Sequence, residues 1–496
     1  MPEATSNSGK RGADEIALLD GGAGEAERVG NDLAYRSAFE LLALIRARQV
    51  SPVELTEACL RRIESTEPAL NCFVTLTPEL ALASARDAER EVMAGEALRP
   101  LHGLPISVKD LIAVGGVRLT FGSRTAKDNI AEVDAPSVAR LKAAGACILG
   151  KTTTSEFGCK AAGDSPLTGV TRNPWNLEKT PGGSSCGAAA SVAAGVTPFA
   201  LGTDGGGSIR EPSALTGVFG IKAQFARVPV FPTAATPTLA HVGPLARSVR
   251  DAALLLTAIA GHDRRDPFSV AEPVPDFVAA CERPIEGMRI AWSPTLGYAK
   301  PAREVVAIAE SAVAVLESLG CDIDFVEQVV DEDPADLWTA EFYAGIGTRL
   351  KQQYRETPHL LDPALVAVLD HALDQPLDVY YGKVFKRYEF REKMRRFFEQ
   401  YDLLLTPQTP IPAFDAGIDV PHEYADRNLC SWQFYTYPFN LTGQPAASVP
   451  AGFTADGLPV GLQMVAKMNH ESDIFRVAAA FETARPWAAH RPPQVG

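Results

Sequence analysis

Gly182-Gly-Ser-Ser-Cys-Gly-Ala-Ala-Ala-Ser-Val-Ala-Ala-Gly-Val-Thr-Pro-Phe-Ala-Leu-Gly-Thr-Asp-Gly-Gly-Gly-Ser-Ile-Arg210 joins two glycine-serine clusters through a run of small residues. Ser185–Ala194 is mostly Ala, Ser and Gly, which predicts a tightly packed buried helix that stops at Gly195. Thr197–Leu201 then reads as a strand, and Gly202–Ser208 as a glycine-rich turn leading into Ile209-Arg210. Glycine lets a backbone approach a ligand closely. A serine after three glycines at the start of a helix sits among free N–H donors, a setting that suits a nucleophile beside an oxyanion hole. A plain structural turn or a phosphate cradle fits the same composition. Neither cluster matches GxxxxGK[ST] or GxGxxG, which weakens the nucleotide reading.

The same helix-then-strand alternation extends outward. Ser51-Pro-Val-Glu54 has the form of a capping box with Pro52 at the first helical position, and Leu55, Cys59 and Ile63 follow at helical spacing. Asp134-Ala-Pro136 opens a helix with Val138 and Leu141 on one face and Gly145 as its stop, and Cys147-Ile-Leu149 is a short buried strand. Ala302–Leu319 reads as a helix, Asp322–Val326 as a strand, and residues 330–400 as largely helical and charged. Leu403-Leu-Leu405, a Pro-rich loop and Ala447-Ser-Val449 come later. This pattern predicts an α/β fold. No internal repeat or linker is visible, so one large domain over 31–496 is expected, behind a mobile tail at 1–30 that carries Gly22, Gly24 and Gly30.

With 47 basic against 61 acidic residues the net charge is −14. Such a surface repels phosphate backbones and anionic lipid, so neither nucleic acid nor membrane is expected as a partner. No apolar run of about 18 residues and no signal-peptide core are present. The eight cysteines form no CxxC pair and no His/Cys cluster with zinc spacing, so no metal or other cofactor is expected. Scattered thiols point to a reducing, cytoplasmic setting.

Taken together, the blocks resemble the amidase signature family. Ser184 and Ser208 stand 24 residues apart, the family's spacing. Gly103-Leu-Pro-Ile-Ser-Val-Lys-Asp110 resembles the segment that carries the family's catalytic lysine. Gly150-Lys-Thr-Thr-Thr-Ser-Glu-Phe157, Asn173-Pro-Trp175, Gly220-Ile-Lys222, Gly243-Pro-Leu-Ala-Arg247, Asn440-Leu-Thr-Gly-Gln-Pro445 and Gly457-Leu-Pro-Val-Gly-Leu-Gln463 match in order, from about residue 36 to 488. The resemblance implies a large mixed β-sheet sandwiched between α-helices. It implies Ser208 as nucleophile, Ser184 as the bridging serine after a cis Gly183–Ser184 bond, and Lys109 as base. It also implies that the N–H groups of Gly205, Gly206, Gly207 and Ser208 form the oxyanion hole. Cys186 stands where glycine is commoner and Ala223-Gln224 where Pro-Thr is, neither at a catalytic position.

The chemistry is coherent. A serine hydroxyl is a weak nucleophile until a base takes its proton. Lysine serves as that base only when neutral, and burial can lower its reference pKa of about 10.4 by about 3–5 units. Lys109 follows the apolar Leu104-Pro-Ile106, in keeping with a buried position. Ser184 can accept from one neighbour and donate to another. Ser185, Asp204 and Arg210 read as supporting residues, and backbone near Gly158 and Cys159 as a border of the acyl pocket. Three rivals compete: Ser185 as the centre of a GxSxG elbow, His241 as base, and Cys159 as a thiol nucleophile. The elbow needs a strand before it, where Asn173–Pro181 reads as loop.

Specificity is expected in the variable region 330–440. Its aromatics Phe342, Tyr343, Tyr380, Tyr381, Trp432, Phe434 and Tyr435 suggest an apolar or aromatic substrate, although at least half of them read as core. The expected activity is hydrolysis of small or aryl amides, extending to carbamates, by a monomer or homodimer. The alternative is a glutamine amidohydrolase subunit of a tRNA-dependent amidotransferase. Gly205, where such subunits usually carry threonine, weighs against it.

Overall fold

The computed structural model describes residues 33–493, so the expected tail at 1–30 lies outside the described residues. Its strands are β1 (Phe73–Leu76), β2 (Pro105–Lys109), β3 (Cys147–Thr152), β4 (Asp164–Ser165), β5 (Gly169–Val170), β6 (Phe199–Asp204), β7 (Phe219–Lys222), β8 (His241–Ala246), β9 (Arg289–Trp292), β10 (Asp322–Phe325), β11 (Leu403–Pro407), β12 (Ala446–Phe453) and β13 (Pro459–Ala466). Among the described residues, eleven of these form one sheet in the order β1-β3-β2-β6-β8-β7-β12-β13-β11-β9-β10, while β4 and β5 pair separately. The sheet is mixed. β2 runs parallel to β3 and β6, and β9 to β10 and β11; the other pairings, such as β6 with β8 and β12 with β13, are antiparallel.

Successive side chains of a strand point to opposite faces, and here they enter two different cores. Ile290, Trp292, Leu403, Leu405, Met464 and Ala466 join the core that also holds Leu256, Ala312, Leu316 and Phe475. The residues between them, Ala291, Leu404 and Val465, join a second core with Trp338, Phe342, Leu365, Met394 and Trp432. Helices Val249–Ile259, Arg303–Ser318 and Glu471–Ala484 therefore cover one face. Helices Ala335–Arg349, Pro363–Ala372 and Leu377–Phe397 cover the other. This is the expected α/β sandwich.

Local chemistry explains the element ends. Ser51 Oγ accepts from the N–H of Val53 and Glu54, and Glu54 Oε2 accepts from Ser51 N–H at 2.8 Å, so the capping box opens helix Pro52–Leu70. That helix buries Leu55, Cys59 and Ile63. The small-residue helix runs Cys186–Ala193 and is buried on every side. The following strand sits later than the sequence suggests: β6 begins at Phe199, after Pro198, and continues through Gly202 and Thr203 to Asp204. Its glycine and threonine resemble turn residues in sequence, but pairing with β8 as far as Asp204–His241 holds them extended. No helix among the described residues is long and apolar enough to cross a membrane.

Candidate active site

Two parallel neighbours, β2 and β6, end side by side at Lys109 and Asp204. Open α/β sheets bind ligands beyond the carboxyl ends of such strands. Lys109 is fully buried. Its Nζ lies 2.7 Å from Ser184 Oγ, 2.9 Å from Ser185 Oγ and 2.9 Å from Thr203 Oγ1. The adjacent buried lysine of β3, Lys151, pairs with Asp110 at 2.7 Å, whereas Lys109 makes no ion pair among the described residues. A ring of hydroxyls cannot offset the lost hydration of an ammonium as a carboxylate does. Burial pushes the Lys109 pKa down to about 7, partly offset by Cys186, Asp204 and Glu211.

The two glycine-serine clusters are tied together here. Ser185 N–H donates to Ser208 O at 3.2 Å, and Ser185 Oγ donates to Thr203 O at 3.1 Å. The Gly183–Ser184 peptide is cis, as the resemblance implied. Gly183 N–H donates to Glu211 Oε2 at 2.9 Å. Gly158 also faces the bridging serine: a Cβ there would stand 3.1 Å from Ser184 Oγ, at a φ of +71° that disfavours any side chain. Lys109, Ser184 and Ser185 are buried, while Ser208 is partly exposed.

Asp204 organises the turn that ends at Ser208. Its carboxylate accepts Gly207 N–H at 2.8 Å and takes both Arg210 Nε and a terminal Arg210 nitrogen at 3.0 Å. Arg210 reaches further, to Gln463 Oε1 at 2.8 Å and Asn440 Oδ1 at 2.6 Å. Burial alone would raise the Asp204 pKa, but the Arg210 guanidinium outweighs it and holds the carboxyl well below the usual range. The Gly207 N–H, expected to help form the oxyanion hole, is thus committed to Asp204. Among the described residues the N–H groups of Gly205, Gly206 and Ser208 have no protein acceptor.

Comparison with known proteins agrees with this geometry. The family described as Amidase matches residues 54–475. This chain belongs to the amidase family. It is 37% identical over 468 residues to an acylamidase of Rhodococcus erythropolis, covering 93% of this chain and 98% of that protein. It is equally 37% identical, over 481 residues, to a glutamyl-tRNA(Gln) amidotransferase subunit of Geobacter sp. (strain M21), covering 92% and 98%. The crystal structure of a bacterial aryl acylamidase of the amidase signature family superposes with a TM-score of 0.88 at 31% identity, covering 94% of this chain and 99% of that one.

The rival centres in this amidase lie elsewhere in its chemistry. No strand leads directly into Ser185; residues 171–185 hold only isolated bridges, so the elbow geometry is absent there. The His241 ring bonds Leu239 O at 2.8 Å through Nδ1, and Lys222 Nζ approaches Nε2 at 3.4 Å. Burial and Lys222 push its pKa well below the ordinary histidine value. The Cys159 thiol is buried, with its pKa pushed well above the usual range, and its carbonyl accepts from Tyr343 Oη at 3.3 Å. Cys186 packs against Thr153, and Gln224 bonds Asn469 at 2.6 Å.

Several site residues carry no local signal. Glu211, Trp338 and Thr436 touch the serine clusters or the turn but stand in no motif singled out for chemistry, and Thr203 reads in sequence only as part of the glycine-rich turn. Asn440 and Gln463 do lie in the matched blocks Asn440–Pro445 and Gly457–Gln463, so their contact with Arg210 explains why those blocks accompany the serines. Of the aromatics expected to shape specificity, Phe342, Tyr343, Trp432, Phe434 and Tyr435 are buried, whereas Tyr381 is exposed. Three carboxylates, Asp164, Asp362 and Asp419, surround the Lys160 ammonium, which pairs with the first two at 2.8 Å.

Proposed function

We propose that this amidase cleaves C–N acyl bonds through a covalent ester on Ser208, with Ser184 relaying protons between Ser208 and Lys109. It is an amide hydrolase, and the observation that carries this mechanism is the buried Lys109 amine, without an ion pair among the described residues, 2.7 Å from Ser184 Oγ. A neutral Lys109 accepts the Ser184 proton while Ser184 takes that of Ser208. Ser208 Oγ then adds to the substrate carbonyl. The developing oxyanion is met by the unengaged N–H groups of Gly205 and Gly206, with Ser208 N–H alongside. Collapse of the adduct breaks the C–N bond. The leaving amine takes a proton back through Ser184, and water later cleaves the ester by the reverse relay.

The substrate class we propose is a compact aryl amide, with aryl carbamates as slower substrates. The supporting feature is the aromatic wall over the glycine turn, where Trp338 and Phe342 stack with ring centres 4.3 Å apart. A carbamate differs from an amide by an oxygen on the carbonyl carbon, so it forms the same adduct. Its extra resonance makes that carbon less electrophilic. The likeness to amidotransferase subunits keeps free glutamine in the test. The experiment compares kcat/KM for an acyl p-nitroanilide, the matching N-aryl carbamate and glutamine. The order anilide, carbamate, glutamine is expected; efficient glutamine hydrolysis with an inert anilide would overturn the substrate class. Fluorophosphonate labelling identifies the nucleophile: Ser208 carries the label, and Ser208→Ala loses both label and turnover while keeping its fold.

A further inference from the structure

Three consecutive peptide planes run through the glycine turn, and each is held by its carbonyl oxygen. Asp204 O accepts from Asn440 Nδ2 at 3.2 Å. Gly205 O accepts from Trp338 Nε1 at 2.9 Å. Gly206 O accepts from Thr436 Oγ1. These peptides are trans. In a planar trans peptide the C=O and the following N–H point in opposite directions, so fixing each oxygen fixes the next N–H. The Gly207 N–H is thereby turned onto Asp204 Oδ1. The N–H groups of Gly205 and Gly206 are turned to the side where no protein acceptor lies among the described residues.

The middle clamp comes from far away in sequence. Trp338 sits in helix Ala335–Arg349, wholly buried, stacked on Phe342 and on Tyr437 at 5.7 Å. Its ring lies so close to the turn that a Cβ on Gly206 would stand 2.5 Å from Cζ2, so only glycine at 206 admits the indole. The indole N–H donates and never accepts. It therefore serves as a fixed peg for a carbonyl and takes no part in proton relay.

We infer that Trp338 is a positioning residue for the oxyanion hole, its indole N–H holding the Gly205–Gly206 peptide so that Gly206 N–H faces the reacting carbonyl oxygen. This rests on Ser208 being the nucleophile. It gives the helix at 335–349 a task beyond shaping the pocket: the segment read as variable also holds the catalytic turn in its working orientation. Because the peg acts on an N–H that bonds the oxyanion and not the ground-state substrate, its loss falls on kcat and not on KM.

The test removes the donor and keeps the ring. Trp338→Phe does so by mutation, and the benzothiophene isostere of tryptophan at 338 does so with the shape unchanged. Relative to wild type, kcat for an acyl p-nitroanilide falls by roughly 10- to 100-fold, less than the full loss of an oxyanion donor. KM stays within about twofold, and affinity for a phenylboronic acid, which forms a tetrahedral adduct on the nucleophilic serine, falls in parallel with kcat. If Trp338→Phe does not fold by circular dichroism, the isostere decides. Wild-type kcat in the isostere variant, a loss confined to KM, or a kcat loss with undiminished boronate affinity overturns the inference. Fluorophosphonate labelling of the wild type separates the two levels: a label away from Ser208 removes the underlying mechanism, whereas a label on Ser208 with an indifferent Trp338 variant removes this inference alone.

Discussion

Burial drives Lys109 toward its neutral form, and a neutral amine is what the proposed relay requires. Activity is therefore expected to rise with pH through about 7 and level off above it, as Lys109 loses its proton. A rate that is flat across this limb under single-turnover conditions argues against lysine as base. Lys109→Ala and Ser184→Ala each lower kcat by orders of magnitude, and the double variant is little worse than either, because the pair acts as one unit. Stability carries the same signature with a definite sign. The folded pKa of about 7 lies below the unfolded value of about 10.4, so the unfolded chain takes up a proton first as pH falls. Wild type thus loses stability relative to Lys109→Met between about pH 10 and 7, and the difference is constant below; urea titrations at pH 6, 7, 8.5 and 10 measure it. Asp204 makes the opposite case, a buried charge held by a partner. Arg210→Met leaves that carboxylate unpaired and is expected to destabilise the fold by about 3–5 kcal/mol in denaturant titration. The residues of this site were largely legible in sequence because Ser184, Ser208, Asp204 and Arg210 lie in or beside the glycine-serine blocks and Lys109 lies in the matched block Gly103–Asp110. The contact of the Thr203 hydroxyl with Lys109, at 2.9 Å, was not, although Thr203 lies within the glycine-rich stretch, since a threonine inside a strand looks like any other.

At the scale of elements, cues within a few residues worked and cues that depend on pairing did not. Ser51-Pro-Val-Glu54 specified a helix start because the bonds it makes span three residues. Ser51→Ala is expected to lower stability by about 1 kcal/mol with kcat unchanged, measured by urea unfolding and anilide turnover side by side. Helix Cys186–Ala193 was equally plain, since a run of alanine and glycine buried on all sides has little choice but close packing. β6 shows the limit. Gly202 and Thr203 belong to the strand only because β8 lies alongside, and β8 comes from nearly forty residues downstream. β2 was hidden for the same reason: a five-residue run entered by proline is made a strand by parallel neighbours on both sides.

Across the whole molecule the burial of thiols gives a further test. Seven of the eight cysteines are buried and Cys281 is partly so, and burial raises the pKa of every one of them. Since the thiolate is the reactive form, the native protein is expected to react slowly with an aromatic disulfide reagent, Cys281 first, and to yield all eight thiols in denaturant. Its melting temperature should not change with reductant; a drop would reveal a disulfide. The same long-range packing separates what the chain states locally from what the fold adds. Sequence alone determined the order of the blocks and the α/β class, and through the resemblance it pointed to Lys109, Ser184 and Ser208 as the residues of the proposed relay, because each lies in a block defined by residue type and short spacing. Tertiary structure alone decided that Lys109 sits among hydroxyls with no ion pair among the described residues. It also decided that Gly207 N–H turns inward to Asp204, and that Trp338, Thr436 and Asn440 grip the turn from more than 130 residues away. Desolvation and the direction of a peptide N–H depend on everything packed around a group, and that environment exists only once the distant segments have met.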